Sequence, residues 1–158
     1  MDKIPRRPDL PPPLADWFAA RGWRPRPHQL AVLQRAWAGH SVLLTAPTGG
    51  GKTLAGFLPS LCDLMGDAGA AQRNDRLHTL YLSPLKALAV DVRRNLEAPI
   101  AEMAVPIRVE SRTGDTPQSR RQRQRRKPPH ILLTTPEQLA LLLSYRDAAK
   151  YFARLRYV

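Results

Sequence analysis

At 158 residues, with 43% apolar and 24% charged residues, the chain is long enough for one domain with a sizeable core and too short for two full ones. Lysine and arginine outnumber aspartate and glutamate 25 to 13, which gives a formal charge of +12; a polyanionic partner or a basic solubilising surface would each account for it. No apolar run reaches membrane-spanning length, the first residues lack a secretory apolar segment, and a lone Cys62 rules out an internal disulfide, so the composition argues against membrane and secreted classes and for the cytoplasm.

Five prolines within residues 1–13 predict an irregular arm, because proline denies the backbone its donors. From Leu14 the pattern turns helical, with Leu14, Trp17, Phe18 and Arg21 on one face and Gly22 as the stop. A second helix is expected from about His28 to Ala38, its apolar side carrying Leu30, Leu33 and Trp37. Ser41–Thr45 reads as a buried strand, followed by a glycine loop and a helix from Lys52 to about Met65 that Pro59 would kink or loosen. Cys62 falls among apolar residues there, which suits a packing role.

Asp67–Arg76 reads as a polar connection. Thr79–Leu82 is the next strand and Leu85 to about Met103 the next helix, with a bend expected near Pro99. Ile107–Glu110 is a third strand. Asp115 or Thr116 should cap a short basic helix that starts at Pro117 and is stopped by Pro128 and Pro129. Ile131–Thr134, a helix over Pro136–Ser144 and a fifth strand beginning at Leu155–Val158 complete the pattern. Strand–helix units in series with apolar strands imply an α/β fold, a parallel sheet covered by helices on both faces.

Ala46-Pro47-Thr48-Gly49-Gly50-Gly51-Lys52-Thr53 has the Walker A pattern, with an apolar run before it and a helix after it. Glycines 49, 50 and 51 let successive backbone N–H groups form a nest for a polyphosphate, and the helix start adds its own N–H groups and dipole. Lys52 would place a point charge on the β- and γ-phosphates of ATP, and the Thr53 hydroxyl is a ligand for Mg²⁺. A Gly-rich turn of purely structural purpose leaves Gly-Lys-Thr at a helix start unexplained.

This octapeptide resembles motif I of the superfamily 2 helicases, usually worded A-P-T-G-S-G-K-T, with Gly50 in place of the serine. Since that position contributes backbone, the exchange is expected to leave phosphate binding intact in a floppier loop. Arg24-Pro25-Arg26-Pro27-His28-Gln29 resembles the Q-type motif, in which the family's glutamine reads the adenine edge; Gln29 occupies that place. Trp23 and Arg26 flank it, and either could stack on adenine or pack locally. Ser83-Pro84-Leu85-Lys86 resembles motif Ia, Thr113-Gly114-Asp115 motif Ib, and Thr134-Thr135-Pro136-Glu137-Gln138-Leu139 motif Ic. The resemblance implies that Pro84, Leu85, Lys86, Thr113, Gly114, Asp115, Thr135, Pro136 and Glu137 hold the phosphates of a single DNA or RNA strand.

The wording is most similar to the large helicase-related (Lhr-type) DEXH branch, including the form that accompanies an ATP-dependent DNA ligase. It implies a RecA-like first lobe over residues 14–158 after the arm, a second lobe in the complete motor, ATP hydrolysis, a role in DNA repair, and repair proteins such as a ligase as partners. A DEXH-type RNA helicase lobe shares every motif quoted. The family's Asp-Glu-x-His is absent from the sequence, so a nucleotide- and nucleic-acid-binding module without turnover is the other reading. The basic run around Arg121, Arg123 and Arg125 is either a backbone-tracking patch or a solvated helix face. Trp17 and Trp37 lie on apolar helix faces and are expected in the core. The four histidines have no metal-ligand spacing.

Overall fold

A computed structural model describes residues 9–66 and 75–158. The chain divides after Gly66 into two compact units. Among its described residues the first holds three helices, α1 (Pro12–Ala20), α2 (Pro27–Trp37) and α3 (Lys52–Gly66). Helix α1 begins inside the expected arm, because Pro12 suits a first helical turn whose N–H groups need no partner; the expectation for residues 1–8 lies outside the described residues. Gly22, at φ +63°, ends the turn that follows.

The two tryptophans expected in the core are not there. Trp17 is half-buried, with the Arg21 guanidinium 4.4 Å above its ring, and Trp37 is exposed and donates its indole N–H to Asp63 Oδ1 at 2.9 Å. An indole N–H needs a partner, and the Asp63 carboxylate of helix α3 supplies it. Helix α3 runs unbroken through Pro59 and buries residues on every side, among them Ala55, Leu58, Leu61 and Leu64. Cys62 lies there at 3% exposure, and burial, helped by the Asp63 carboxylate, pushes its thiol up to about 12.

Ser41–Thr45 corrects the expectation of a buried strand. The segment has no strand ladder, and Leu43 is 91% exposed. An apolar run becomes a strand only where a neighbour supplies hydrogen bonds, and among the described residues none does so for this one.

Among its described residues the second unit is a three-stranded parallel sheet with helices. Strands β1 (Thr79–Leu82), β2 (Val109–Arg112) and β3 (Ile131–Thr134) take the order β1-β3-β2. Helices α4 (Lys86–Glu102), α5 (Gln118–Arg126), α6 (Pro136–Leu143) and α7 (Ala148–Phe152) follow them in turn. Every residue of central β3 is buried, as a strand covered on both faces requires. Leu80 and Leu132, register partners on one face, pack with Leu77, Leu142 and Tyr151. Helix α4 buries Ala89, Val92, Leu96 and Ile100 at helical spacing and continues through Pro99.

Three expectations shift here. Strand β2 starts two residues later than predicted and contains Glu110 and Arg112, so the strands are not uniformly apolar. Neither Asp115 nor Thr116 caps α5, whose N-cap is Pro117 without a side-chain bond; the Thr116 hydroxyl accepts from the Thr113 N–H instead, at 2.9 Å. At the C-terminus the expected fifth strand is one parallel bridge, Tyr157 to Thr79. Of the 67–76 connection, residues 67–74 lie outside the described residues.

The register makes a first prediction. Leu132→Ala opens a cavity at the centre of the cluster and should cost about 2–5 kcal/mol, read from urea denaturation; a loss below about 1 kcal/mol would show that the cluster collapses around the gap.

Candidate nucleotide and nucleic-acid sites

The phosphate loop belongs to the first unit and ends on Lys52 and Thr53, the first two residues of α3. Gly49 and Gly51 sit at φ +76° and +75°, a backbone that other residues rarely adopt. Lys52 turns back over the loop, its ammonium donating to Ala46 O at 2.6 Å and Pro47 O at 2.8 Å. Thr48 and Thr53 are exposed, Thr53 in the first turn of α3. Glycine-shaped backbone, a helix start and one flexible ammonium suit a polyphosphate. An incoming phosphate need only exchange two neutral carbonyl acceptors of Lys52 for charged oxygens, which form the stronger bond.

Gln29 and Arg26 brace this loop from α2. Gln29 is 3% exposed; its Oε1 accepts from the Arg26 N–H at 2.9 Å, and its Nε2 donates to Gly51 O at 3.3 Å. A Cβ at Gly51 would lie 2.8 Å from that Nε2. The Arg26 guanidinium reaches Gly49 O at 3.4 Å. Both residues singled out for the nucleotide base therefore touch the phosphate loop directly. Gly50 has a role that slack alone does not describe: a Cβ there would meet Pro47 O at 2.8 Å.

In the second unit, the three strands end in line and their loops lie side by side. The Ser83 N–H donates to Thr134 O at 3.0 Å, and the Thr134 hydroxyl donates to Arg112 O at 2.8 Å. One edge thus carries Pro84-Leu85-Lys86, Thr113-Gly114-Asp115 and Thr135-Pro136-Glu137. Thr113 and Thr135 are buried, while Pro84, Leu85, Lys86, Gly114, Asp115, Pro136 and Glu137 are exposed. Lys86 pairs with both oxygens of Asp115 at 3.0 Å. A hydrogen bond from Thr135, then the backbone and the Lys86 charge, holds the Glu137 carboxyl below its usual range. Helices α4 and α6 both start at this edge without a side-chain cap. Their first-turn N–H groups, rather than net positive charge, are what the edge offers a phosphate.

The comparisons decide the family. A profile of the DEAD/DEAH box helicases matches residues 26–158. The chain belongs to this family. It is 37% identical to the ATP-dependent helicase Lhr-Core of Methanocaldococcus jannaschii over 94% of its own length and 19% of that protein's. It is 40% identical to the Lhr helicase/uracil glycosylase of Escherichia coli, over 85% of this chain and 10% of that one. The structure of the Mycobacterium smegmatis helicase Lhr bound to ssDNA and AMP-PNP matches with a TM-score of 0.79 at 36% identity, covering 92% of this chain and 19% of that chain. The RecA-like α/β class and the Lhr-type resemblance are both borne out. The chain spans about a fifth or less of these relatives.

Within this DEAD/DEAH fold the three arginines singled out on α5 are engaged inside the protein. Arg121 donates to Thr116 O at 2.8 Å, Gly114 O at 2.6 Å and Thr113 O at 3.3 Å, so it clamps the Ib-type loop by its backbone. Arg123 pairs with Glu110, and Arg125 with Asp147, each at 2.7 Å. Sequence reasoning missed Arg112. It is fully buried at the end of β2, donates to Arg121 O at 3.3 Å, and leaves its Nε and Nη2 without partners. Burial lowers its guanidinium from the usual range, against the opposing pull of Tyr145. No signal marked it, because Glu110 and Arg112 look like one exposed face of a strand.

Two predictions follow from these contacts. Gly50→Ser restores the family's usual wording but crowds Pro47, and the expected result is a loss of about 1 kcal/mol in thermal unfolding with binding of a fluorescent ATP analogue retained; an unchanged melting temperature would show that the loop yields freely. Arg121→Ala should strip hydrogen-exchange protection from residues 113–116 while β3 keeps its own, with an overall cost of about 1–3 kcal/mol. Protection that survives the substitution would mean the clamp is idle.

Proposed function

We propose that the chain is the ATP-binding first lobe of an Lhr-type, ATP-dependent helicase or translocase that acts on DNA. The observation that carries the reading is the phosphate loop, with Lys52 folded over two loop carbonyls and Gln29 bridging α2 to Gly51. The loop amides from Ala46 to Gly51, with Lys52 and Thr53, would receive the triphosphate. Gln29 and Arg26 would meet the base side of the nucleotide. Thr53 would ligate Mg²⁺, whose chemistry when bound is to neutralise charge on the β- and γ-phosphates.

The residues of the carboxyl edge would hold the backbone of one strand. Pro84, Leu85 and Lys86 with Thr135, Pro136 and Glu137 flank two helix starts, and Thr113, Gly114 and Asp115 are kept in shape by Arg121. Engagement of Lys86 by Asp115 gives that lysine a resting partner, to be exchanged for phosphate when nucleic acid arrives. DNA is favoured over RNA by the Lhr likeness, whose structure holds ssDNA and AMP-PNP. In the complete protein a second lobe would close on the nucleotide, and hydrolysis and strand movement belong to that assembly.

Titration with a fluorescent ATP analogue tests the nucleotide half. Lys52→Ala should weaken binding by about 2 kcal/mol or more, the scale of a lost charge-assisted contact. Equal affinity would remove Lys52 from the site and with it the reading.

A further inference from the structure

Away from the motif edge, residues that precede strands β1 and β3 come together with the end of α5 and with α7 around an open cleft of about 660 Å³. Asp75 lies ahead of β1 and Pro128 ahead of β3, so the cleft stands at the amino ends of the strands. The motif loops stand at their carboxyl ends. Four residues of strand, or about 13 Å, separate the two edges.

Five cationic and two acidic side chains line this cleft. Both carboxylates are already engaged, Asp75 by Arg108 at 2.6 Å and Asp147 by Arg125 at 2.7 Å. Arg125 is further held by stacking over Tyr145, 3.9 Å from the ring centroid. Arg126, Lys150 and Arg154 are exposed and make no side-chain hydrogen bond or ion pair among the described residues, although the Lys150 charge acts on the Asp147 carboxylate. Tyr151 forms part of the cleft wall, with its hydroxyl buried and in the electrostatic field of Arg112 and Glu110.

We infer that this cleft is a second nucleic-acid contact, which takes the phosphodiester backbone of a strand as it runs past the amino edge of the sheet. The inference rests on the nucleic-acid reading above. Three exposed cations concentrated in one cleft attract an anion whose charges recur along a chain, and two of them, Arg126 and Arg154, are guanidinium forks matched to phosphate oxygens. A basic surface kept only for solubility would spread its charges; here they converge, and the local acids are already neutralised. An acidic protein segment is the competing ligand, and the test separates it.

The experiment uses this chain and its triple variant Arg126→Gln/Lys150→Gln/Arg154→Gln, none of which belongs to the phosphate loop or the motif edge. Binding of single-stranded oligonucleotides of about 6 and about 20 nucleotides is measured against salt. The 20-mer should bind the variant roughly tenfold more weakly, with a log–log salt slope flatter by about two units, since each lost single-strand phosphate contact removes about 0.7. The 6-mer and the fluorescent ATP analogue should bind both proteins alike, which also certifies that the variant folds. A photo-crosslinker on Gln122→Cys, in the cleft wall, should capture the 20-mer; the buried Cys62 stays unlabelled.

An unchanged slope for the 20-mer, or an equal loss for both lengths, overturns the proposal while the motif edge keeps its role. Polyglutamate binding that depends on the three residues as strongly as 20-mer binding does overturns it in favour of an acidic protein partner. If neither oligonucleotide binds the unaltered chain, the nucleic-acid reading fails, and this inference with it.

Discussion

Thr134 ends the central strand at the point on which the second unit depends. Its carbonyl accepts from the Ser83 N–H, and its hydroxyl donates to Arg112 O. These two bonds bring three parallel strands to a common finish, so the loops that leave them share one edge. Parallel strands of equal length need only one such tie to align all their exits. The burial of β3 on both faces makes the tie durable, because a slip by one residue would turn Leu132 and Leu133 to opposite faces.

The first unit rests on a different device. A loop of three glycines has little shape of its own, yet here it is held by side chains at both ends. Lys52 gathers the carbonyls of Ala46 and Pro47, and Gln29 reaches Gly51 from a buried position on α2. The groups that would meet a nucleotide are the ones that shape the loop. Binding and loop conformation are then one equilibrium, because each contact to a ligand replaces a contact within the loop.

Charge behaves differently in the structure from its impression in the sequence. The basic run on α5 looks like a row of equivalent arginines, but each has its own task. Arg121 braces the Ib-type loop, Arg123 ties α5 to β2 through Glu110, and Arg125 lies between Asp147 and Tyr145. Exposed ion pairs of this kind contribute little to stability, about 0–1 kcal/mol each. Their effect is to fix side-chain positions, and they leave Arg126 and Arg154, with Lys150 in the field of Asp147, as the exposed positive charge around one cleft.

The sequence by itself determined the glycine loop ahead of α3, the order of strand and helix from β1 to α6, and the family. Those are local: glycine tolerance, a lysine at a helix start and four-residue apolar runs act through neighbours in the chain. β1 and β3 were legible to the residue for this reason. The tertiary structure decided what depends on partners distant in the chain. It left Ser41–Thr45 without a ladder, moved β2 forward to include Arg112, and put Trp37 on the surface with Asp63. It also chose which cations are spent on internal carbonyls and carboxylates and which face solvent. A strand exists only beside another strand, and a charge is free only where no acceptor lies within reach; neither condition is written in the residue itself.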